Sequence, residues 1–373
     1  MKDTILFGDC KETLSEFLPQ SARTCVTSPP YYGLRDYGTA TWIGGDPNCN
    51  HRRDSKVKPE NCNTGHKNHD EMYGVGDAIY KTVCPKCGAI RQDSQIGLEE
   101  TPEEYIENLV NVFRGVWDVL TDDGTLWVNL GDSYYNYRPG KGQSYPKQSV
   151  SKTKQDLPDN CNKRGNKLDG LKEKDLIGIP WMFAFAMRKD GWYLRQDIIW
   201  HKPNPMPESV KDRCTKSHEY IFLFSKNRKY YYNNEAIKEP AKDWGTRDRT
   251  NGKYHNEGPG LQPHSGLTKS YPTKNKRSVW SVTNKPYKGA HFATFPPELI
   301  EPCVKAGSQE GDIILDPFMG SGTTATVAKS LNRDYIGCEL HEEYGTLIQK
   351  RIQDYVPVNK VSQEPTINIL DLI

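Results

Sequence analysis

A glycine-rich segment near the carboxyl end of the sequence has the residue types of a ligand-binding turn. It lies between an apolar strand pattern and a helix pattern and reads Asp316-Pro317-Phe318-Met319-Gly320-Ser321-Gly322-Thr323-Thr324. Glycines at a strand–helix junction allow a tight turn and the close approach of a ligand to the backbone. Glu339 ends the next strand pattern, where a carboxylate can accept hydrogen bonds from both ribose hydroxyls of a nucleoside. The alternative is a strand–helix turn without a ligand.

The same segment lacks the features of two common phosphate-binding motifs. No Gly-Lys-Ser/Thr follows its glycines, as a P-loop requires, and the third glycine of G-x-G-x-x-G is absent. A nucleoside without a pyrophosphate therefore fits the segment better than a nucleotide does. S-adenosyl-L-methionine is the candidate that this pattern favours.

A proline-rich segment early in the chain has the residue types that an exocyclic amine would need. It follows a short apolar strand pattern and reads Thr27-Ser28-Pro29-Pro30-Tyr31-Tyr32-Gly33. Consecutive prolines end the strand and stiffen the loop. The Ser28 hydroxyl and the Ser28–Pro29 backbone can accept hydrogen bonds from the amine, while Tyr31 stacks on the ring. A proline turn without catalytic function is the alternative for this segment taken alone.

Cysteine and histidine spacing predicts a metal site. Two thiols three positions apart, followed by glycine, can both reach one tetrahedral ion, as in Cys84-Pro85-Lys86-Cys87-Gly88. Cys49 and His51 would complete a site with three thiolates and one imidazole. Competing ligands lie in the same region at Cys62, His66 and His69. The prediction is a structural zinc ion, and free thiols are the alternative.

The elements that position these residues alternate between strand and helix patterns. Strands are predicted at 5–7, 24–27, 125–130, 193–200, 220–225, 312–316 and 334–339. Helices are predicted at 11–18, from Pro102 to Leu120, and at 180–188, 297–306 and 323–331. Asp122-Asp123-Gly124 is predicted to be a turn, and residues 44–95 an insertion. This order predicts an α/β fold with a mainly parallel, doubly wound sheet.

Composition excludes several classes of protein. The chain has 373 residues with 8 Trp, 21 Tyr and 10 Phe, which are too many aromatic residues for a disordered chain. No apolar run reaches the roughly 20 residues of a membrane span, and the amino terminus turns acidic before a signal peptide could form. We therefore expect a cytoplasmic protein, and we expect its 10 Cys to be reduced thiols apart from the metal site.

The net charge of +2 does not indicate a nucleic-acid-binding protein, but the distribution of charge does. Residues 265–291 contain Lys and Arg but neither Asp nor Glu. Residues 138–166 contain seven Lys and Arg against two acids. Both stretches predict basic loops that can contact phosphates, with solvated surface loops as the alternative.

The glycine-rich and proline-rich segments together resemble the signature pair of the DNA amino-methyltransferases, which methylate exocyclic nitrogens of adenine or cytosine. Because the Ser-Pro-Pro-Tyr motif precedes the glycine motif, the chain is similar to the circularly permuted β group of this family. The resemblance implies a Rossmann-like methyltransferase fold that uses S-adenosyl-L-methionine. It implies catalytic roles for Ser28, Pro29, Pro30 and Tyr31, and cofactor contacts from Asp9, Phe295, Asp316, Phe318, Gly320, Gly322, Thr323 and Glu339.

The first residue of the catalytic motif bears on the target base. In this family, a leading Ser is mostly associated with cytosine N4 and a leading Asp with adenine N6. The resemblance therefore implies site-specific methylation of cytosine N4 in duplex DNA after base flipping, with adenine N6 as the alternative. An RNA or protein methyltransferase, and a zinc-bearing DNA-binding module without catalysis, stay open as further readings.

The resemblance also suggests how the chain is divided. The predicted boundaries are a catalytic part at 1–43 and 96–204, a zinc-binding insertion at 44–95, a basic loop at 135–175, a target-recognition region at 205–290, a cofactor-binding part at 291–356 and a tail at 357–373. The expected partners are double-stranded DNA and a separate cognate restriction endonuclease, in the cytoplasm of a prokaryotic or phage-infected cell, with no membrane partner.

Overall fold

Two compact units make up the chain. The computed structural model describes residues 1–33, 40–51, 80, 83–135, 168, 170–241, 272–284 and 295–355. The first unit comprises residues 1–29, 110–131 and 184–373, and the second comprises residues 30–109 and 132–183. Most of the basic loop predicted at 135–175 lies outside the described residues. So do residues 242–271 and 285–290 of the predicted target-recognition region and residues 291–294 of the predicted cofactor-binding part.

An eight-stranded sheet forms the centre of the first unit. The strand bounds are β1 Thr4–Phe7, β2 Ala22–Thr27, β5 Leu120–Leu130, β6 Tyr193–His201, β7 His218–Ser225, β10 Val279–Ser281, β11 Ile313–Asp316 and β12 Asp334–Glu339. Their spatial order is β1-β12-β11-β2-β5-β7-β6-β10. Two shorter strands of this unit, β8 Glu239–Pro240 and β9 Thr273–Lys274, pair with each other.

Most of the central sheet is parallel, as the sequence predicts. Only β7 runs antiparallel to its two neighbours, β5 and β6, among the pairs of this sheet. The central pair, β2 and β11, comes from distant parts of the chain, with Thr24 opposite Ile314 and Cys25 opposite Leu315. Because the two strands are parallel, the loops that follow them leave the sheet at the same edge.

Six helices lie in the described residues: α1 Cys10–Thr13, α2 Pro102–Val119, α3 Ile179–Lys189, α4 Pro297–Gly307, α5 Thr323–Ser330 and α6 Tyr344–Asp354. Helix α2 begins with a capping box, in which the Glu104 amide donates to Thr101 Oγ1 and the Thr101 amide donates to the Glu104 carboxylate. The predicted start of this helix is therefore confirmed. No helix within the described ranges is both long enough and apolar enough to cross a membrane.

The core of the first unit lies between the sheet and the helices near its carboxyl end. Helix α4 packs against β2 and α5, and α5 packs against β11, β12 and α6. At the end of α4, a Cβ on Gly307 would lie 2.6 Å from Thr24 Oγ1 and 2.7 Å from Thr125 Oγ1, so only glycine allows this close approach. Buried members of the core cluster include Val26, Trp127, Ile198, Ile221, Leu299, Cys303, Ile314, Val327 and Ile348.

The second unit has less regular structure. Strands β3 (Thr41–Ile43) and β4 (Ile90–Gln92) form an antiparallel pair, with Thr41 opposite Gln92. Elsewhere in this unit, the Asp132 carboxylate accepts hydrogen bonds from the amides of Gly178 and Ile179 at the start of α3. These bonds satisfy amides that lack a partner within the helix.

Two predicted boundaries are wrong. The helix expected at 11–18 is α1 followed by a 3-10 turn at Leu14–Glu16, and it begins where Asp9 accepts a hydrogen bond from the Lys11 amide. The predicted turn at 122–124 lies within β5, whose pairing with β2 shifts register between Ala22 and Thr24. Residues 121–124 have no partner in this register, so the residues whose types favour a turn bulge out of the ladder.

Strands also occur where the sequence predicts irregular structure. The expected insertion contains β4, which pairs with β3 just outside it. The region around 240–290, expected to be a loop, contributes β10, the edge strand of the central sheet. Each of these strands has three residues, too few for a periodic pattern to be recognised.

Candidate functional site

The turn between β11 and α5 requires glycine at defined positions. Gly320 and Gly322 have φ angles of 53° and 80°, a conformation that side chains strongly disfavour. A Cβ on Gly322 would also lie 2.5 Å from Ile348 Cγ2. On the neighbouring strand, a Cβ on Gly337 would lie 2.6 Å from the Asp316 carbonyl oxygen. The sequence between Asp316 and Gly322 therefore folds as a tight turn packed against β12 and α6.

Glu339 reaches this turn from the last position of β12. Its Oε2 accepts a hydrogen bond of 2.7 Å from the Gly320 amide, and its Oε1 accepts one of 3.0 Å from the His341 amide. The residue is only 8% exposed, and burial raises the pKa of its carboxyl from 4.5 to about 7. Glu339 ends β12, as the sequence predicts, and its carboxylate lies beside the glycine turn.

Asp316 connects the glycine turn to the strand that carries the proline motif. Its Oδ1 accepts hydrogen bonds from Thr27 Oγ1 at 2.6 Å and from the Phe318 amide at 3.0 Å. Complete burial raises the pKa of this carboxyl to about 6. A second link runs from Thr324 Oγ1 to the Val26 carbonyl oxygen at 3.1 Å. The end of β2 and the glycine turn therefore lie side by side, although 289 positions separate Thr27 from Asp316.

The boundary between the two units falls within the proline-rich segment. Ser28 and Pro29 directly follow β2 in the first unit, where Ser28 is half-buried and Pro29 is buried. Pro30 and Tyr31, both half-buried, belong to the second unit. The structure thus brings the first half of the motif to the edge of the sheet that carries the glycine turn.

Within the second unit, side chains hold the second half of the motif. The buried Tyr105 hydroxyl donates to the Pro30 carbonyl oxygen at 2.8 Å. The Gly33 amide donates to the Gly97 carbonyl oxygen at 2.8 Å. A Cβ on Gly97 would lie 3.1 Å from the Tyr31 carbonyl oxygen. Sequence reasoning placed Tyr105 on the apolar face of a helix, and no pattern in the sequence points to its contact with Pro30.

The other predicted cofactor residues occupy different positions. Asp9 follows β1 and Phe318 follows β11, and β1 and β11 are both parallel neighbours of β12. Asp9, Phe318 and Glu339 therefore follow or end three adjacent strands at one edge of the sheet. Thr323 is buried at the start of α5. Phe295 precedes α4 and packs, partly buried, against the core cluster.

An arginine from α6 lies behind the glycine turn. The Arg351 guanidinium donates to the Ser321 carbonyl oxygen at 3.2 Å and also to its hydroxyl. Arg351 is 9% exposed, so the guanidinium is held inside the protein against the turn. The sequence gives no signal for this contact, because an arginine in a polar helix pattern normally lies in solvent.

The four predicted metal ligands meet in the second unit. The sulfur atoms of Cys49, Cys84 and Cys87 and a ring nitrogen of His51 all lie within 4.8 Å of one another. Cys84 is fully buried and the other three are half-buried. The competing residues Cys62, His66 and His69 lie outside the described residues.

A mainly parallel sheet, a glycine turn after one strand and a carboxylate ending the next define a nucleoside-binding α/β fold. Residues 22–350 match the N6/N4 methyltransferase family model, which is described as DNA methylase. The chain belongs to this DNA methylase family and is a DNA amino-methyltransferase whose cofactor is S-adenosyl-L-methionine. The resemblance seen in the sequence, and the fold class that it implies, are confirmed.

Curated relatives match nearly the whole chain. The type II methyltransferase M.XycI of Xanthomonas campestris pv. cyanopsidis is 40% identical over 350 residues, which cover 94% of this chain and 87% of that protein. M.Cfr9I of Citrobacter freundii is 39% identical with the same coverage. M.SmaI of Serratia marcescens is 39% identical over 353 residues, covering 93% of this chain and 90% of that protein.

Solved structures share the fold. The PvuII DNA methyltransferase, whose name gives cytosine N4 as its target, matches with a TM-score of 0.53 at 16% identity. The match covers 97% of this chain and 90% of that chain. A Thermus thermophilus protein described as a DNA modification methylase, complexed with S-adenosyl-L-methionine, matches with a TM-score of 0.50 at 21% identity. That match covers 95% of each chain.

Proposed function

We propose that this protein is a site-specific type II DNA methyltransferase that methylates the exocyclic N4 amine of cytosine in duplex DNA. The observation that carries the proposal is the position of Ser28, a neutral hydroxyl that directly follows β2. The strand before it is linked to the glycine turn through Thr27 and Asp316. The 39–40% identity to three type II methyltransferases over most of the chain supports the class of enzyme.

We propose that the first unit holds the cofactor along one edge of its sheet. The Glu339 carboxylate is suited to accept hydrogen bonds from ribose hydroxyls, because it is already turned toward the Gly320 amide. Gly320 and Gly322 would contact the cofactor through their backbone. The Cβ position of Gly320 meets only the Phe318 carbonyl oxygen at 3.8 Å, whereas that of Gly322 faces Ile348 of α6. Thr323 follows these glycines, and Asp316 fixes the start of the turn. Asp9 would contact the adenine, Phe318 would pack beside the nucleoside, and Phe295 would cover the methionine end.

Ser28, Pro29, Pro30 and Tyr31 are the proposed catalytic residues. The target cytosine must leave the duplex, because its amine is paired and stacked there. Ser28 Oγ and the adjoining backbone carbonyl then accept hydrogen bonds from the amine, which frees the nitrogen lone pair from conjugation with the ring. Tyr31 stacks on the base, and the prolines fix the carbonyl. S-adenosyl-L-methionine supplies an electrophilic methyl group. Positioning of the amine by these residues provides much of the acceleration.

Ser28 favours cytosine over adenine because a leading Ser is mostly associated with cytosine N4 in this family. The amine lies beside a ring nitrogen in both bases, N3 of cytosine and N1 of adenine. A hydroxyl accepts a hydrogen bond from the amine without bringing a full negative charge next to that nitrogen. Methylation of adenine N6 by the same fold is the second candidate.

We propose that DNA is bound by the region at 205–290, the basic loop at 135–175 and the insertion at 44–95. Their Lys and Arg residues would contact phosphates and make the affinity depend on salt. Deleting residues 245–270, which leaves β9 and the edge strand β10 in the chain, is expected to abolish the sequence preference of methylation. An unchanged preference would contradict this assignment. The type II names of the relatives support a place in a restriction–modification system with a separate endonuclease.

The target base can be identified directly. Duplex DNA is incubated with the protein and with S-adenosyl-L-methionine that carries an isotopic label in its methyl group. The DNA is then hydrolysed to nucleosides, which are separated and identified by mass spectrometry. The expected product is labelled N4-methylcytosine, in DNA treated with the wild type but not with Ser28→Ala. Labelled N6-methyladenine would contradict the cytosine assignment. Labelled protein or RNA with unlabelled DNA would contradict the proposed function as a whole.

A further inference from the structure

We propose that Cys49, His51, Cys84 and Cys87 bind one zinc ion. The ion would serve a structural role, tying together the two ends of the segment formed by residues 52–83. Neither the family match nor the similar proteins assign a metal to this chain. The proposal rests on the geometry of the second unit and is independent of which base the enzyme methylates.

Distances between the ligand atoms agree with one tetrahedral ion. Zinc–sulfur and zinc–nitrogen bonds of about 2.3 and 2.05 Å place two sulfur ligands about 3.8 Å apart, and a sulfur and a nitrogen about 3.6 Å apart. In the structure, the sulfur atoms of Cys49 and Cys84 are 3.8 Å apart. Cys87 Sγ lies 3.5 Å from His51 Nδ1. Two opposite edges of the expected tetrahedron are therefore present.

The same distances are unsuited to a disulfide. A disulfide joins its sulfur atoms at about 2.05 Å, far below the 3.8 Å between Cys49 and Cys84. All three thiols are free in the structure. Three thiols and one imidazole converging on a common point form a typical zinc donor set.

The backbone around the ligands prepares the site. In the turn that carries Cys84 and Cys87, the Gly88 amide donates to the Cys84 carbonyl oxygen at 2.7 Å, and the Cys84 amide donates to the Ala89 carbonyl oxygen at 2.8 Å. These two backbone hydrogen bonds close the turn and hold Cys84 and Cys87 within it.

The other pair of ligands is held against this turn. A Cβ on Gly45 would lie 2.8 Å from Cys87 Sγ and 2.8 Å from Ala89 Cβ, so glycine is needed where the two chain segments meet. The Trp42 ring stacks on His51, with centroids 4.3 Å apart and planes inclined by 15°. This stacking orients the imidazole toward the three sulfur atoms.

A structural role follows from the ligand count and from the size of the strands. Four protein ligands leave no coordination position for a substrate or an activated water molecule. Strands β3 and β4 have three residues each, so their pairing alone provides little stability. Metal binding at their ends would therefore contribute directly to the folding of this part of the second unit.

Metal content of the full-length protein provides the first test. We expect one zinc ion per chain by mass spectrometry of protein purified without a metal-affinity tag or chelator. Cobalt substitution is expected to give the intense visible bands of a tetrahedral thiolate site. The variants Cys84→Ser and Cys87→Ser are expected to reduce zinc below about one-tenth of an ion per chain. Cys214→Ser, which removes an exposed thiol outside the cluster, serves as the matched control and should retain the ion.

Two outcomes would overturn the proposal. Wild-type protein supplied with zinc that binds less than a stoichiometric amount would show that the cluster does not hold the ion. Zinc retained in Cys49→Ser but lost in Cys62→Ser would assign the site to other ligands. Hydrogen exchange tests the structural role, because chelation should increase exchange at 41–51 and 83–92 and leave 313–339 unchanged. Unchanged exchange in the first two segments after zinc loss would contradict that role.

Discussion

In the first unit, Asp316 and Glu339 end two neighbouring strands, and Gly320 lies in the turn that follows the first of them. In the second unit, the cysteine–histidine cluster flanks strands of only three residues each. Parallel strand pairs and the buried core determine where the glycine-turn residues lie. In the second unit, side-chain contacts determine where residues lie; one example is the hydrogen bond from the Tyr105 hydroxyl to the Pro30 carbonyl oxygen. The positions of the glycine-turn residues therefore depend mainly on the sheet, and those of the second-unit residues mainly on particular side-chain contacts.

The largest effect is expected at Ser28, the proposed catalytic residue that directly follows β2. Replacing Ser28 with alanine should lower the methylation rate about 10²- to 10³-fold, because a hydrogen-bond acceptor for the amine is lost. Affinity for S-adenosyl-L-methionine should stay within about twofold, since the proposed cofactor contacts are unchanged. Single-turnover kinetics and equilibrium binding measure the two quantities separately. Ser15→Ala, at an exposed serine, is the control, and a rate for Ser28→Ala equal to that of this control would contradict the proposed catalytic role.

The dependence on backbone geometry can be tested with two glycines of one turn. Gly322→Ala should lower the free energy of unfolding by about 3 kcal/mol, because positive φ and contact with Ile348 both oppose the new methyl group. Gly320→Ala should cost about 1 kcal/mol, since its Cβ would meet only the Phe318 carbonyl oxygen at 3.8 Å. Urea denaturation measures both values. Equal costs would show that α6 does not constrain the turn.

The ionisation of Glu339 links pH to cofactor binding. Burial raises its pKa to about 7, so the carboxyl is mostly protonated at pH 6 and mostly ionised at pH 8. If the ionised form accepts the ribose hydroxyls, affinity for S-adenosyl-L-methionine should rise about tenfold over this interval. Calorimetric titration of the wild type and of Glu339→Gln measures the change, and most of the slope should be lost in the variant. An equal slope in both proteins would remove Glu339 from the proposed role.

The raised pKa of Glu339 also makes the free energy of unfolding depend on pH. Because the pKa of Glu339 is higher in the folded chain than its ordinary value of 4.5, the folded chain holds the proton more strongly than the unfolded chain. This contribution to the free energy of unfolding is complete below about pH 4.5 and is lost as pH rises through about 7. Urea denaturation of the ligand-free wild type and of Glu339→Gln should show this difference.

The smallest effect is expected in the second unit. Tyr105→Phe removes one hydrogen bond to the Pro30 carbonyl oxygen and should cost about 1 kcal/mol of stability. If the same hydrogen bond also positions Pro30 during methyl transfer, the methylation rate should fall up to about fivefold, and the affinity for the cofactor should stay unchanged. Tyr193→Phe, at an exposed tyrosine, should leave both quantities unchanged. A rate for Tyr105→Phe equal to that of this control would limit Tyr105 to a role in stability.

Much of the first unit was predictable because its strands are short apolar runs bounded by turns and helices. The interval predicted for β12, 334–339, agrees with the structure, and β11 differs by one residue. The link between Glu339 and the glycine turn was also predictable, since parallel strands end at one edge of a sheet. The start of β5 was not, because its pairing shift depends on β2 rather than on its own residue types.

Contacts between side chains distant in sequence were the hardest to anticipate. The Arg351–Ser321 and Tyr105–Pro30 bonds have no local signature, since each depends on how separate elements pack. The cysteine–histidine cluster is different, because the spacing of Cys84 and Cys87 already brings two ligands together. That Cys49 and His51 could complete the site was predictable from their residue types, but the distances between the four ligand atoms were not.

The pairing of β2 with β11 also constrains how the protein comes to be folded. The centre of the sheet requires a strand that the ribosome makes 289 positions after its neighbour, as the Thr27–Asp316 bond shows. Until β11 emerges, the backbone N–H and C=O groups on that edge of β2 have no native partner, and contacts of such long sequence separation form slowly. Nascent chains of this enzyme should therefore depend on chaperones during translation, more than those of proteins whose adjacent strands are consecutive.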